Sequence, residues 1–258
     1  FSLYCLPVAN FRTMQPHIRD FIENNAIGIL EQGDYQTRTC ELKELRTYLV
    51  SKLLWNPDVD VDSVITDFTD GYYGPAGKHI REYIDYADSY LRRPGMHTDC
   101  YAAVSHPMFT PEFVREAARS FAEAGKAVEN DPVYLERVRT SELPILLLQL
   151  ELTPAEGIRS GAHERFKQIM SKDRVAHLDE WGTFPAAPYV EYLDNLAASL
   201  ANAPELMAAD TYASAKGISF TRYEGDFTST VQMIESGRVT DKGRMGEIVI
   251  ESDKDIDH

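Results

Sequence analysis

The stretch Ile27-Gly28-Ile29-Leu30-Glu31-Gln32-Gly33-Asp34-Tyr35 decides how the fold of this sequence is interpreted. Its first four residues form a short, wholly apolar run, which is typical of a buried strand in a parallel sheet. Carboxylate, amide, glycine and aromatic residues follow directly. In parallel α/β sheets and barrels, ligands bind just past the carboxyl ends of the strands. The stretch therefore predicts a strand that leads into a binding site.

The residues on either side alternate between strand and helix patterns. Residues 1–6 are apolar and aromatic and predict a strand, and residues 16–25 carry apolar side chains at helical spacing. Residues 41–55 carry leucines every three or four positions, which predicts an amphipathic helix. This strand and helix order is that of an α/β protein. Because two strands cannot bury themselves and residue 1 opens on an apolar run, we expect the chain to be a piece of a longer protein.

The pattern becomes helical from residue 59 and changes again near the other end. Asp60, Thr110-Pro111 and Asp131-Pro132 are helix start signals, each followed by apolar residues at helical spacing. We predict a bundle of five or six helices over residues 59–206. Residues 217–227 alternate weakly between apolar and polar side chains and residues 246–250 are strand-like, so we predict that residues 213–258 open an all-β module.

Composition excludes several classes of protein. The chain has 258 residues, 41 of them Asp or Glu and 26 Lys or Arg, so its formal net charge is −15. Such an acidic chain repels phosphate backbones and anionic lipid, which argues against nucleic-acid and membrane-surface partners. No apolar run is long enough for a membrane span. The three cysteines form no CxxC pair, and no HExxH, GxSxG, GxGxxG or phosphate-binding loop occurs, so the sequence predicts no metal site and no cofactor.

The candidate site residues follow the two predicted strands. Glu31 is the candidate catalytic carboxylate, and Gln32, Asp34 and Tyr35 are candidate substrate contacts. Asn10, past the first predicted strand, is a further contact. The alternative is that Gly33 and Asp34 only shape a turn and that Glu31 is merely solvated.

Two other groups of residues have competing interpretations. Arg12 either binds a substrate carboxylate or is an ordinary charge near a helix, and the second interpretation is favoured. Tyr72 and Tyr73, which lie between glycines, either form a sugar-stacking wall or fill the seam between packed helices. Turn chemistry favours the seam.

Four motifs carry a resemblance to a known family: Val8-Ala9-Asn10-Phe11, residues 28–33, Lys52-Leu53-Leu54-Trp55-Asn56-Pro57-Asp58 and residues 67–76. In this order they resemble the C-terminal part of an uncharacterised bacterial domain, domain of unknown function 4838, found in glycoside-hydrolase-like proteins. That family is distantly similar to α-glucuronidases and β-hexosaminidases. The resemblance implies a mixed, mainly α fold in which residues 1–58 are the last two βα units of a (β/α)8 barrel.

The other end of the chain carries a second resemblance. Residues 217–227 and 255–258 resemble the start of a protective-antigen-type β-sandwich, which implies that residues 213–258 open a carbohydrate-binding-like module. Together the resemblances imply the C-terminal portion of a secreted glycoside hydrolase acting on polysaccharide or oligosaccharide, in an extracytoplasmic location. A non-catalytic carbohydrate-binding or scaffolding protein is the alternative, and a structural spacer is a third possibility. The expected partners are a carbohydrate ligand, the remainder of the longer chain and, by self-association, a second copy.

Overall fold

The computed structural model describes residues 3–8, 10–33, 39–93, 95–96, 103–179, 182, 184–202, 218–222, 230–235, 238–244 and 248–252. The chain folds into two compact units, residues 1–193 and residues 194–258. The three-part division predicted from the sequence, at 1–58, 59–206 and 213–258, stays a prediction.

Helices dominate the described part of the chain. Short 3-10 turns form at residues 11–13 and 74–76. The α-helices are α1 (Met14–Glu23), α2 (Lys43–Trp55), α3 (Val61–Tyr73), α4 (Gly77–Leu91), α5 (Pro111–Ala127), α6 (Pro132–Ser141), α7 (Leu143–Leu152), α8 (Pro154–Arg159), α9 (Ala162–Lys172) and α10 (Ala186–Asn202). The helical content predicted beyond residue 59 is confirmed.

The predicted start signals lie at helix N-termini. The Asp60 side chain accepts a hydrogen bond from the Ser63 backbone N–H at the start of α3. Thr110 caps α5 through the Phe113 N–H, and Asp131 caps α6 through two backbone N–H groups. Each cap satisfies donors that have no partner inside the helix. Local chemistry therefore fixes where these helices begin.

The core of the first unit surrounds α7. Every residue from Leu143 to Leu150 is buried, including Pro144 and Gln149, so this helix has no solvent face. A helix that is apolar on all sides belongs in the interior. It packs against α5, α8 and α9, which bury Phe113, Phe121 and Phe166. In the described ranges no helix has both the length and the apolar character required to cross a bilayer.

The prediction that residues 1–58 are barrel βα units is wrong. Leu3 makes only an isolated antiparallel bridge to Asp179, and the described residues 24–33 contain no strand. Ile27 is fully exposed and Leu30 is 91% exposed. An apolar run becomes a strand only when a neighbouring strand pairs with its backbone. No described residue makes strand pairing with the backbone of this run, so its composition alone does not make it a strand.

The prediction that residues 213–258 contain the opening strands of a β-sandwich is also wrong. The second unit contains strands β1 (Ile218–Arg222), β2 (Thr230–Glu235), β3 (Arg238–Arg244) and β4 (Ile248–Ser252). Among the described residues they form two two-stranded antiparallel sheets, β1 with β4 and β2 with β3. A sandwich needs two packed sheets of several strands each. Weak alternation favours strand pairing, but it fixes neither the number of strands nor their layers.

Candidate functional site

The described residues among those predicted to form the site, namely Asn10, Glu31 and Gln32, do not lie on one edge of a sheet. Glu31 and Gln32 are exposed and belong to residues 24–33, which follow α1 without regular secondary structure. Asp34 and Tyr35 lie outside the described residues. Asn10 precedes the 3-10 turn of residues 11–13, and its side-chain oxygen accepts a hydrogen bond from the Arg46 guanidinium. Glu31 thus faces solvent, whereas Asn10 belongs to a partly buried polar cluster.

That cluster centres on Glu41, which is 1% exposed. One carboxylate oxygen accepts from the Val8 backbone N–H at 2.8 Å and from Arg46 Nη2 at 3.0 Å. The other oxygen accepts from the Tyr83 hydroxyl at 2.5 Å. We call Glu41, Arg46 and Tyr83 the clamp. Three parts of the chain therefore meet there, namely the residues before α1, the start of α2 and the middle of α4.

Arg46 links the clamp to the residues before α1. Besides Glu41 and Asn10, its guanidinium donates to the Val8 carbonyl oxygen at 2.8 Å. The guanidinium carbon lies 4.6 Å from the centroid of the Phe11 ring, within cation–π range. The planar fork of arginine suits this combination of several acceptors and one ring.

The clamp changes the acid–base behaviour of its members. Burial raises the pKa of Glu41 above the ordinary value of a glutamate, and the opposing effects of the Arg46 charge and the hydrogen bonds from Tyr83 and Val8 are smaller. Burial also raises the pKa of the Tyr83 hydroxyl, which faces the Glu41 carboxylate. The cluster therefore contains a carboxyl group and a phenol whose pKa values are both above their ordinary values.

Arg12 is held by carboxylates of the chain itself. Its guanidinium approaches Asp62 at 2.8 Å, Asp85 at 2.6 Å and Asp88 at 3.6 Å. These contacts join the 3-10 turn before α1 to α3 and α4. The interpretation of Arg12 as an ordinary structural charge is the one that fits the structure.

A shallow cleft of about 410 Å³ lies beside the first turns of α3, lined by Asp60, Asp62, Ser63, Thr66 and Asp67. Its carboxylates already have partners within the chain. Asp60 caps α3, Asp62 pairs with Arg12, and Asp67 accepts from the Tyr48 hydroxyl at 2.6 Å. The cleft presents hydrogen-bond acceptors, but those acceptors also hold the fold together.

The paired tyrosines form a seam between helices. Tyr73 is fully buried, and its hydroxyl lies 2.7 Å from Ser141 Oγ of α6. The Tyr72 ring stacks on Phe68 at 4.9 Å between centroids, and the Arg137 guanidinium lies 4.4 Å from its centre. Because these contacts occupy both rings, the structure favours the seam over a sugar-stacking wall.

Comparison with known proteins gives one result. The family model described as Domain of unknown function (DUF4838) matches residues 1–85. This region contains α1, α2, α3, part of α4 and the whole clamp. No curated protein and no solved structure matches the chain. Residues 1–85 are therefore similar to an uncharacterised family.

Sequence reasoning missed the clamp. Glu41 and Tyr83 are 42 positions apart, and Val8 is 33 positions from Glu41. No motif spacing predicts contacts of that range. The one sequence signal was the acidic residue that opens the amphipathic pattern of residues 41–55, and an acidic residue there normally indicates a solvated helix start.

Proposed function

We propose that this chain is part of a glycoside-hydrolase-like protein that acts on polysaccharide or oligosaccharide in the periplasm, at the cell surface or as a secreted protein. The four linked motifs between residues 8 and 76 support this proposal, because together they resemble proteins of that kind. They lie within residues 1–85, where the family match falls.

The position of Glu31 within the family-like motif of residues 28–33 is the observation that carries the residue assignment, and the exposure of Glu31 is compatible with it. Its side chain is open to solvent, and no described residue holds it by a hydrogen bond or an ion pair. A free carboxylate accepts hydrogen bonds from sugar hydroxyls, and it becomes a general acid when a bound ligand or a neighbouring domain desolvates it. We assign Glu31 as the catalytic carboxylate and Asn10, Gln32, Asp34 and Tyr35 as substrate contacts.

Glycoside hydrolysis normally uses two carboxylates on either side of the scissile bond. In this proposal the second carboxylate comes from elsewhere in a longer protein. The buried carboxylates Glu41 and Glu142 are poor candidates, because each is held by an arginine.

Replacement of Glu31 in the full-length protein tests the assignment. Glu31→Gln keeps the shape of the side chain and removes its charge, so we expect turnover of the polysaccharide to fall by about 100-fold or more. Binding, measured by calorimetry, should change little. The matched control is Glu23→Gln, at an exposed glutamate at the end of α1. Full turnover in the Glu31 variant would refute the catalytic role.

A non-catalytic carbohydrate-binding or scaffolding role is the second candidate. It is favoured by the observation that Asp60, Asp62 and Asp67 of the cleft are all engaged within the chain. Carboxylates that already have partners within the chain stabilise the fold and are less available for proton transfer. Polysaccharide binding by the wild-type full-length protein without any hydrolysis would favour this candidate, whatever the result for Glu31→Gln.

A further inference from the structure

The residues before α1 form a strap that crosses the first unit. We define the strap as residues 3–8 and 10–11. Leu3, Cys5, Leu6 and Phe11 of the strap are buried. At one end, the Tyr4 N–H donates to the Leu178 carbonyl oxygen at 3.1 Å. The other end is held by the clamp.

The clamp holds both the Val8 backbone and the Asn10 side chain, and the Val8 carbonyl oxygen also accepts from the Asn10 N–H at 2.7 Å. Glu41 accepts from the Val8 N–H, and Arg46 donates to the Val8 carbonyl oxygen and to Asn10 Oδ1. The same guanidinium covers the Phe11 ring. Whatever changes the charge of the clamp therefore acts directly on the strap.

Among the described residues, few groups are available to neutralise Glu41 when it is ionised. The charged and titratable groups that face it in this part of the chain are Arg46 from α2 and Tyr83 from α4, and the strap offers it the Val8 backbone N–H. Arg46 Nη2 is shared between Glu41 and the Val8 carbonyl oxygen. Arg46 Nε is buried and has no hydrogen-bond partner among the described residues. The Arg46 guanidinium, which is shared with the Val8 carbonyl oxygen, is thus the cation paired with a carboxylate that is almost wholly removed from water. Burial of an ionised carboxylate with so little compensation costs free energy.

We propose that the strap docks on the helical unit with the uptake of one proton from solvent, held on the Glu41 carboxyl beside the Tyr83 hydroxyl. No covalent bond other than this O–H forms or breaks. When the strap lifts, water reaches Glu41 and the carboxyl loses the proton more easily. The docked strap and the lifted strap therefore differ in their affinity for a proton.

The direction of the pH effect follows from linkage. Burial raises the pKa of Glu41 in the docked form, and the lifted form approaches the ordinary value. Protonation consequently favours docking. The contribution of Glu41 protonation to docking is fully present below the ordinary pKa of glutamate. It is lost as the pH rises through the higher pKa of Glu41 in the docked form. Because Asn10 belongs to the strap, its position follows the equilibrium between the docked and the lifted strap. The proton-linked strap does not depend on whether the protein hydrolyses sugars.

Hydrogen exchange of the Val8 amide in the complete chain tests the proposal. We correct its protection for the intrinsic pH dependence of exchange. Between the pKa of Glu41 in the lifted form and its higher pKa in the docked form, we expect this protection to fall by up to tenfold per pH unit. Above the higher pKa it should level off. Glu41→Gln should abolish this dependence. The matched control is Glu142→Gln, at a buried carboxyl paired with Arg165. It should keep the wild-type dependence.

Protection of Val8 that is independent of pH in the wild type, or unchanged pH dependence in Glu41→Gln, would overturn the proposal. If Glu41→Gln does not fold, Tyr83→Phe and a carbon-13 NMR titration of Glu41 replace it. The loss of the Tyr83 hydrogen bond should raise the Glu41 midpoint above that of the wild type. A wild-type midpoint at or below the ordinary value of glutamate would likewise refute the proton-linked strap.

Discussion

At the scale of single residues, Tyr73 joins two helices through one buried hydroxyl. It lies at the end of α3, and its oxygen is 2.7 Å from Ser141 Oγ at the end of α6. Burial raises the pKa of the Tyr73 hydroxyl, so it stays protonated and able to donate throughout the neutral range. Tyr73→Phe removes the hydroxyl and leaves Ser141 without this partner. We expect the free energy of unfolding to fall by about 1 kcal/mol in urea titrations.

Tyr48→Phe is the matched control for that prediction. The Tyr48 hydroxyl donates to Asp67 at an exposed site, where water replaces a lost partner. Its removal should therefore cost clearly less than the removal of the Tyr73 hydroxyl. Equal losses in the two variants would show that burial of the Tyr73 hydroxyl does not determine its contribution.

The candidate site could be predicted from the sequence only in part. The exposed position of Glu31 and Gln32 agrees with both sequence interpretations, namely a ligand site and a solvated turn. The engagement of Asn10 by Arg46 was not predictable, because the two residues are 36 positions apart. Contacts of that range depend on how helices pack, and a single sequence carries no periodic signal for them.

At the scale of elements, the junction between α3 and α4 depends on a close approach of backbone. A Cβ atom on Gly77, the first residue of α4, would lie 2.5 Å from the Thr69 carbonyl oxygen of α3. Because that oxygen belongs to a helix backbone, it cannot move aside like the end of a flexible side chain. Gly77→Ala should lower the free energy of unfolding by about 1–3 kcal/mol, measured by thermal or urea unfolding.

Gly71→Ala provides the control within the same pair of helices. Gly71 lies inside α3, and a Cβ atom there meets nothing within 4 Å. Alanine at this position should stabilise the protein by about 0.5–1 kcal/mol, because glycine loses more backbone entropy in a helix. A Gly77→Ala variant as stable as Gly71→Ala would mean that α4 shifts freely relative to α3.

Helices were more predictable than strands for a physical reason. The caps at Thr110 and Asp131 act within three residues, so the local sequence contains the whole interaction. A strand depends on a partner that is distant in sequence. Residues 27–30 have the composition of a buried strand, yet no described strand pairs with them. Local pattern therefore predicted the helix starts and mispredicted the sheet.

At the scale of the whole molecule, net charge and exposed apolar surface act in opposite directions. The formal charge of −15 makes copies of the chain repel each other at low ionic strength. Phe21 and Ile22 at the end of α1, and Ile27 and Leu30 just beyond it, are large apolar residues that are exposed to solvent. Large exposed apolar residues close together in sequence favour association. Salt should reveal this tendency, because it screens the repulsion and leaves the apolar attraction intact.

We therefore expect the isolated chain to associate, and to do so more strongly as ionic strength and protein concentration rise. The double variant Ile27→Ser and Leu30→Ser replaces the two most exposed of these residues, which are fully and 91% exposed, and should reduce the salt-dependent increase in mass measured by light scattering. Since neither side chain contributes to the core, the free energy of unfolding should change little. The control is Val133→Ser on α6, at a valine that is 56% exposed, which should leave association unchanged. A wild-type chain that remains monomeric at high salt and high concentration would show that this apolar surface does not drive association.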